Sequence, residues 1–296
     1  MSIGNFRLTT AEIGFRGEGL SRPECVLAER NGTLWASDNR GGVTRIDPDG
    51  RQAVIGKIPG APNGLALEKG GSILIANIED GIVYRLHRDG RHETVLDSFD
   101  GKPLGSTNFV YRDPGADRIW VTVSTRMVPR RQAVERAIPD GYILCIERGK
   151  ARLAAEGFCF TNEVRIDRER RHLYVAETAM GRVLRLPLAA DGSLGKPEPY
   201  GPAPLAPGVR VDGLTFDAEG NLWVTDVARN GLYVIAPDQT CRCVFEDPSG
   251  ATVNFLASVC FAGPDLKTVY IGSIPMQRLA TFRAPVAGEP LAHWND

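Results

Sequence analysis

The stretch VDGLTFDAEGNLWVTD (211–226) decides the fold. It reads as a polar residue leading an apolar strand, a DAEG turn, and a second strand that ends in Asp. The same order recurs in PECVLAERNGTLWASD (23–38), PNGLALEKGGSILIAN (62–77), TNFVYRDPGADRIWVTVS (107–124), TNEVRIDRERRHLYVAE (161–177) and LASVCFAGPDLKTVYIGS (256–273). The lead positions are Glu24, Asn63, Asn108, Asn162, Asp212 and Ala257, separated by 39, 45, 54, 50 and 45 residues. Third strands follow Gly-containing turns, as in VTRID (43–47), IVYRLH (82–87), VLRLP (183–187) and LYVIA (232–236). Units of roughly 40–50 residues with three or four short β-branched and aromatic strands predict a propeller, and a solenoid would use shorter repeats with capping ends. Six units fill the chain, so residues 1–296 are expected to form one all-β, six-bladed propeller domain.

Ring closure needs strands from both termini in one blade. The alternating segment FRLTTAEIGF (6–15) is expected to complete the last blade. The one long interruption is TRMVPRRQAVERAIPD (125–140) in the third unit, with a helix-like stretch after Pro129. Long loops of this kind are usually functional, and this one is expected to lie as a lid over the mouth.

Bulk properties narrow the chemistry. A net charge of -1 argues against a nucleic-acid footprint. No apolar run is long enough for a membrane helix, and MSIGNFRLTT lacks the layout of a signal peptide, so a cytoplasmic address is expected. Six cysteines without CxxC spacing read as reduced thiols rather than a metal cluster, although Cys241 and Cys243 share a strand face. Four histidines outside any motif leave little material for a catalytic triad.

Consecutive strands of a blade are antiparallel, so the start of the first strand and the end of the second share one face. The lead residues therefore form an inner ring of two carboxylates (Glu24, Asp212), three amides (Asn63, Asn108, Asn162) and Ala257. Converging carboxylates need a compensating charge. Oxygen donors suit one hard divalent cation, Ca²⁺, Mg²⁺ or Mn²⁺, with Zn²⁺ admissible. Strand capping by Asn and Asp is the plainer alternative. The second-strand ends Asp38, Asn77, Ser124, Glu177, Asp226 and Ser273 form an outer ring that reads mainly as turn material.

Taken in order, the PE pair (23–24), FTNEVRID (160–167), LYVAET (173–178), VDGLTFDAEGNLWVT (211–225) and FAGPDLKTVYIGS (261–273) resemble the SMP-30/gluconolactonase/LRE, or regucalcin-like, family. The resemblance implies a six-bladed propeller with one divalent metal, its ligands falling on Glu24, Asn162 and Asp212, and a contact to substrate or metal from Asn108. Lactonases of this family acting on aldonolactones tend to carry an acidic residue after that third-blade Asn and an Arg two before it. Phe109 and Ser106 stand there in this chain. Substrate contacts are expected from Asn108, Asn63, Arg126 and Phe109. Phe158, Phe160 and Met127 join Phe109 as a more apolar pocket wall, with core packing the alternative for each Phe. Arg126, Arg130 and Arg131 offer positive charge to an anionic substrate, a solvated lid face being the alternative for the last two. The expected reaction is hydrolysis of a small-molecule lactone or ester, with Asp212 as ligand and base. Alternatives are another ester, a phosphoester or an activated carbonyl at the same site, or a non-catalytic metabolite-binding propeller.

Overall fold

The computed structural model describes residues 3–295; Met1, Ser2 and Asp296, the outermost residues of the expected 1–296 span, lie outside it. Six four-stranded antiparallel sheets account for the repeats. Their innermost strands are Val26–Ala28, Pro62–Leu67, Thr107–Arg112, Thr161–Ile166, Val211–Phe216 and Leu256–Ala262. These strands touch one another in chain order, and the last touches the first, which closes the ring as a six-bladed β-propeller.

Each blade is built on the alternation read from its sequence. In three blades the Trp of the second strand is fully buried, and its indole donates to an acid at the far end of the first strand. The pairs are Trp35–Glu29 at 3.0 Å, Trp120–Asp113 at 3.4 Å and Trp223–Asp217 at 2.9 Å. A large buried ring thereby fills the space between sheets without leaving its N–H unpaired.

The last blade is closed from the N-terminus, though by less chain than expected. Only Gly14–Arg16 forms a strand, paired with Leu279–Arg283. Residues 6–13 are instead a clamp. Thr9 and Glu12 form a capping box that curls the chain out of strand geometry. The Leu8 N–H donates to the Val244 carbonyl at 2.9 Å, and the Phe6 ring packs on Trp223 and Phe282.

The far end of the channel is covered by the C-terminal segment, which no repeat foretold. Ala218 N–H donates to Ala287 O, Gly288 N–H to Leu266 O and Glu289 N–H to Phe216 O. Gly288 lies flat on Phe261, and a Cβ there would sit 2.1 Å from that ring. Trp294 Nε1 anchors the segment to the Ala28 carbonyl at 2.7 Å. Among the described residues, no helix is long and apolar enough to cross a membrane.

The insert is a docked shelf at the opposite end, the mouth. Its one α-helix, Arg131–Glu135, buries Ala133 against Phe160 and Ala179, with Met127 and Val134 packed around them. Cys159 Sγ donates to the Ala137 carbonyl at 3.1 Å, and Arg130 reaches back to Glu79 at 3.1 Å.

Candidate metal centre

The lead residues reach the channel through a repeated irregularity. In five of the six inner strands the ladder shifts register at the lead position, between Pro62 and Leu65, Thr107 and Phe109, Thr161 and Val164, Val211 and Leu214, and Leu256 and Val259. A bulge leaves one residue unpaired and re-aims its side chain. Here it frees Asn63, Asn108, Asn162, Asp212 and Ala257 from the ladder. Glycine after the lead makes room for the next blade: a Cβ at Gly213 would lie 2.3 Å from the Ala257 carbonyl.

All six lead residues are buried. Asn63 is the hub on one side. Its Nδ2 donates to Glu24 Oε1 at 3.0 Å and to the Asn108 carbonyl at 2.9 Å, while its Oδ1 accepts from Arg22 Nη2 at 2.6 Å. Asn108 Nδ2 donates to Ser124 Oγ at 3.0 Å, and Asn162 Nδ2 to Thr178 Oγ1 at 3.1 Å. Those bonds fix each amide's orientation. Glu24 Oε2, Asn162 Oδ1 and Asp212 Oδ1 remain, three buried oxygens with no hydrogen-bond partner.

The charges of these groups act on one another. Burial pushes the Glu24 carboxyl up to about 7, with the Glu163 charge adding to the rise and Arg22 and Asn63 opposing it. Asp212 is raised well above the usual carboxylate range, by burial first and then by the charges of Glu24 and Glu163, while Arg22 and the Asn162 amide oppose the rise. Two acids that resist ionisation and an orphaned amide oxygen make a donor set that a cation would complete. Among the described residues no three His, Cys, Asp or Glu side chains cluster as ligands. This all-oxygen donor set fits a hard divalent ion.

Beneath the cradle the channel is filled. Glu163 pairs with Arg165 at 2.8 Å, both side chains buried, and Arg165 lies over Phe109 at 4.8 Å and Tyr111 at 5.4 Å. Phe109, expected among the substrate contacts, is thus packed in the core with an arginine on its face. Phe158 is core as well, whereas Phe160 and Met127 hold the insert. Arg126 is exposed and lies over the Tyr142 ring at 4.2 Å, while Arg131 pairs with Glu135 on the outer surface. The outer ring anchors chain entering each blade. Asp38 accepts from Ser21 N–H, Asn77 from Ala61, Glu177 from Cys159 and Asp226 from Arg210, while Ser273 donates to Asn254 O.

A family model described as the SMP-30/gluconolactonase/LRE-like region matches residues 22–275, a span that includes every lead residue. The chain belongs to that family. Among curated relatives, strictosidine synthase-like protein 10 of Arabidopsis thaliana is 27% identical over 59% of this chain, which spans about half of that protein's length (47%). The pentonolactonase XacC of Haloferax volcanii is 26% identical over 80% of this chain and 75% of its own. Among solved structures, the calcium-binding protein regucalcin from Agrobacterium tumefaciens superposes with a TM-score of 0.75 at 18% identity, covering 94% of this family member and 96% of that chain. That likeness shows the shared propeller.

Sequence reading passed over Arg22, two residues before Glu24. Its guanidinium donates to Pro62 O at 3.0 Å and to Asn63 at the edge of the cradle. The signal was available in the register, since Arg210 stands two before Asp212 in the same way.

Proposed function

We propose that this chain is a divalent-metal-dependent lactonase that opens a small-molecule cyclic ester by hydrolysis. The observation that carries the reading is the set of three partnerless buried oxygens on Glu24, Asn162 and Asp212. Its family includes a relative named as a pentonolactonase, and a structural neighbour is described as calcium-binding.

Glu24, Asn162 and Asp212 would hold the cation. When bound, it supplies Lewis-acid polarisation of the ester carbonyl. Asn63 holds one oxygen of Glu24 and leaves the other for the centre. Thr178 takes the amide N–H of Asn162, so the neutral carbonyl end faces inward without adding negative charge. Asp212 accepts a proton from water as its oxygen attacks the lactone carbonyl. The ring C–O bond then breaks, the ring oxygen leaves as a hydroxyl carrying that proton, and the product is a hydroxy acid. The filled channel below keeps bulk water from the rear of the site.

Elemental analysis of purified protein followed by a lactone panel in a pH-stat tests this. Activity lost to chelator and restored by one of Ca²⁺, Mg²⁺, Mn²⁺ or Zn²⁺ is expected. Activity indifferent to chelator, or to Asp212→Ala, would retire the mechanism.

A further inference from the structure

We propose that Arg22 makes this site selective for an anionic substrate: a lactone or ester bearing a carboxylate, which docks on the Arg22 guanidinium while its carbonyl meets the Glu24–Asn162–Asp212 centre. The inference rests on the lactonase reading and narrows its substrate class.

Position comes first. The residues two before each lead form a rim above the cradle: Arg22, Ala61, Ser106, Phe160, Arg210 and Phe255. Arg22, Phe160 and Phe255 have φ of 56°, 66° and 57°, a left-handed kink that side chains rarely adopt and that persists where the surroundings impose it. Arg22 is therefore set at the rim by the backbone turn that leads into Glu24.

Its partners come second. Both Arg22 hydrogen bonds go to uncharged acceptors, the Pro62 carbonyl and the Asn63 amide oxygen. A guanidinium has five N–H groups, so these leave donors for a ligand. Arg22 is half-buried, two residues ahead of Glu24 and in contact with Asn63, which puts it at the edge of the cradle.

Charge balance decides the ligand. Arg165 neutralises Glu163, and Glu79 neutralises Arg130. A divalent cation balances Glu24 and Asp212. Arg22 is left partly desolvated at the edge of the cradle, its guanidinium without a carboxylate in contact among the described residues. Such a group is completed by a planar anion, which an arginine fork matches in geometry. Arg210, in the same register of the fifth blade, turns to the Ala179 carbonyl and serves as a control.

The test compares γ-butyrolactone with 5-oxotetrahydrofuran-2-carboxylate on the metal-loaded protein. Wild type should favour the carboxylate lactone by about tenfold or more in kcat/KM. Arg22→Met should bring that ratio near one, Arg22→Lys should keep part of the preference, and Arg210→Met should keep it whole. If Arg22 only orients Glu24 through Asn63, both substrates fall together in Arg22→Met and the proposal is overturned, as it is by an unchanged ratio. If neither lactone is opened with any of the four cations, calorimetry with 2-hydroxyglutarate separates the claims. Binding that weakens about tenfold in Arg22→Met upholds anion selection without the lactonase, whereas binding that is absent or indifferent overturns both.

Discussion

Asp212 lies at the start of the inner strand Val211–Phe216 and Asp217 just past its end, five residues apart and at opposite ends of the channel. Both are buried. At the base, Asp217 accepts from the Glu219 and Asn221 N–H groups, from Asn221 Nδ2 and from Trp223 Nε1, so each oxygen is matched. At the mouth, Asp212 keeps an oxygen with no partner. Cavities of about 460 Å³ and 600 Å³ lie at the base, yet Asp167, which lines both, is likewise held by Arg171, His172 and Tyr174. Room alone therefore does not mark a site. Asp217 and Asp167 are acids that the fold satisfies at the base, whereas Asp212 keeps a partnerless oxygen next to those of Glu24 and Asn162 in the lead ring.

The sharpest way to break this contrast is to change one acid at a time to its amide. Asp212→Asn should cost about a thousandfold in lactone turnover while the metal-free fold stays as stable as before. Asp217→Asn should instead destabilise by about 3 kcal/mol in urea unfolding, because buried donors lose their acceptor, and should leave cation affinity intact. Similar losses of stability in the two variants would erase the distinction.

Affinity for the cation tests the cradle without turnover. Asn63→Ala removes the bond that orients Glu24, and calorimetric titration should show binding about 10–100-fold weaker. The corresponding change at the base, Asn221→Ala, should not move it.

Acidity gives a smaller signature. Glu24 at the mouth and Glu289 at the base are both raised to about 7, chiefly by burial. For a carboxyl whose folded pKa exceeds its unfolded value, the folded state binds more protons between the two. The stability it contributes is full below about 4.5 and is lost as pH rises through about 7. Melting temperature of chelated protein should therefore fall between pH 5 and pH 8. Added cation should flatten the mouth's share, and Glu289→Gln the share that cation leaves untouched. Smallest of all in its effect at the mouth, Trp223→Phe should leave cation binding unchanged, its cost of about 2 kcal/mol, from one lost hydrogen bond and a small cavity, falling on stability alone.

The ring of leads was legible because a propeller repeats its geometry, so the lead residue of each unit, polar in five of the six, has to converge with the others. Its aiming device was not. A bulge depends on which partner is skipped, and Asn162 reads the same whether paired or free. The arginines were legible only in part, for a related reason. Arg126, Arg130 and Arg131 lie in an insert whose docking on Phe160 and Ala179 is a tertiary contact, while Arg22 hides in the connection ahead of a strand. Phe109 follows a lead residue, and only the neighbouring Arg165 shows that its ring belongs to the core. The C-terminal strap carries no repeat to announce it.

The strap has a kinetic corollary. With Gly288 pressed on Phe261 and Arg165 stacked below the cradle, the tunnel is a cul-de-sac. Departing molecules must retreat past the rim by which newcomers arrive, so traffic is two-way through a single portal. Accumulated end product would then queue against fresh reactant and slow turnover by simple competition, a brake set by plumbing rather than by any second regulatory pocket.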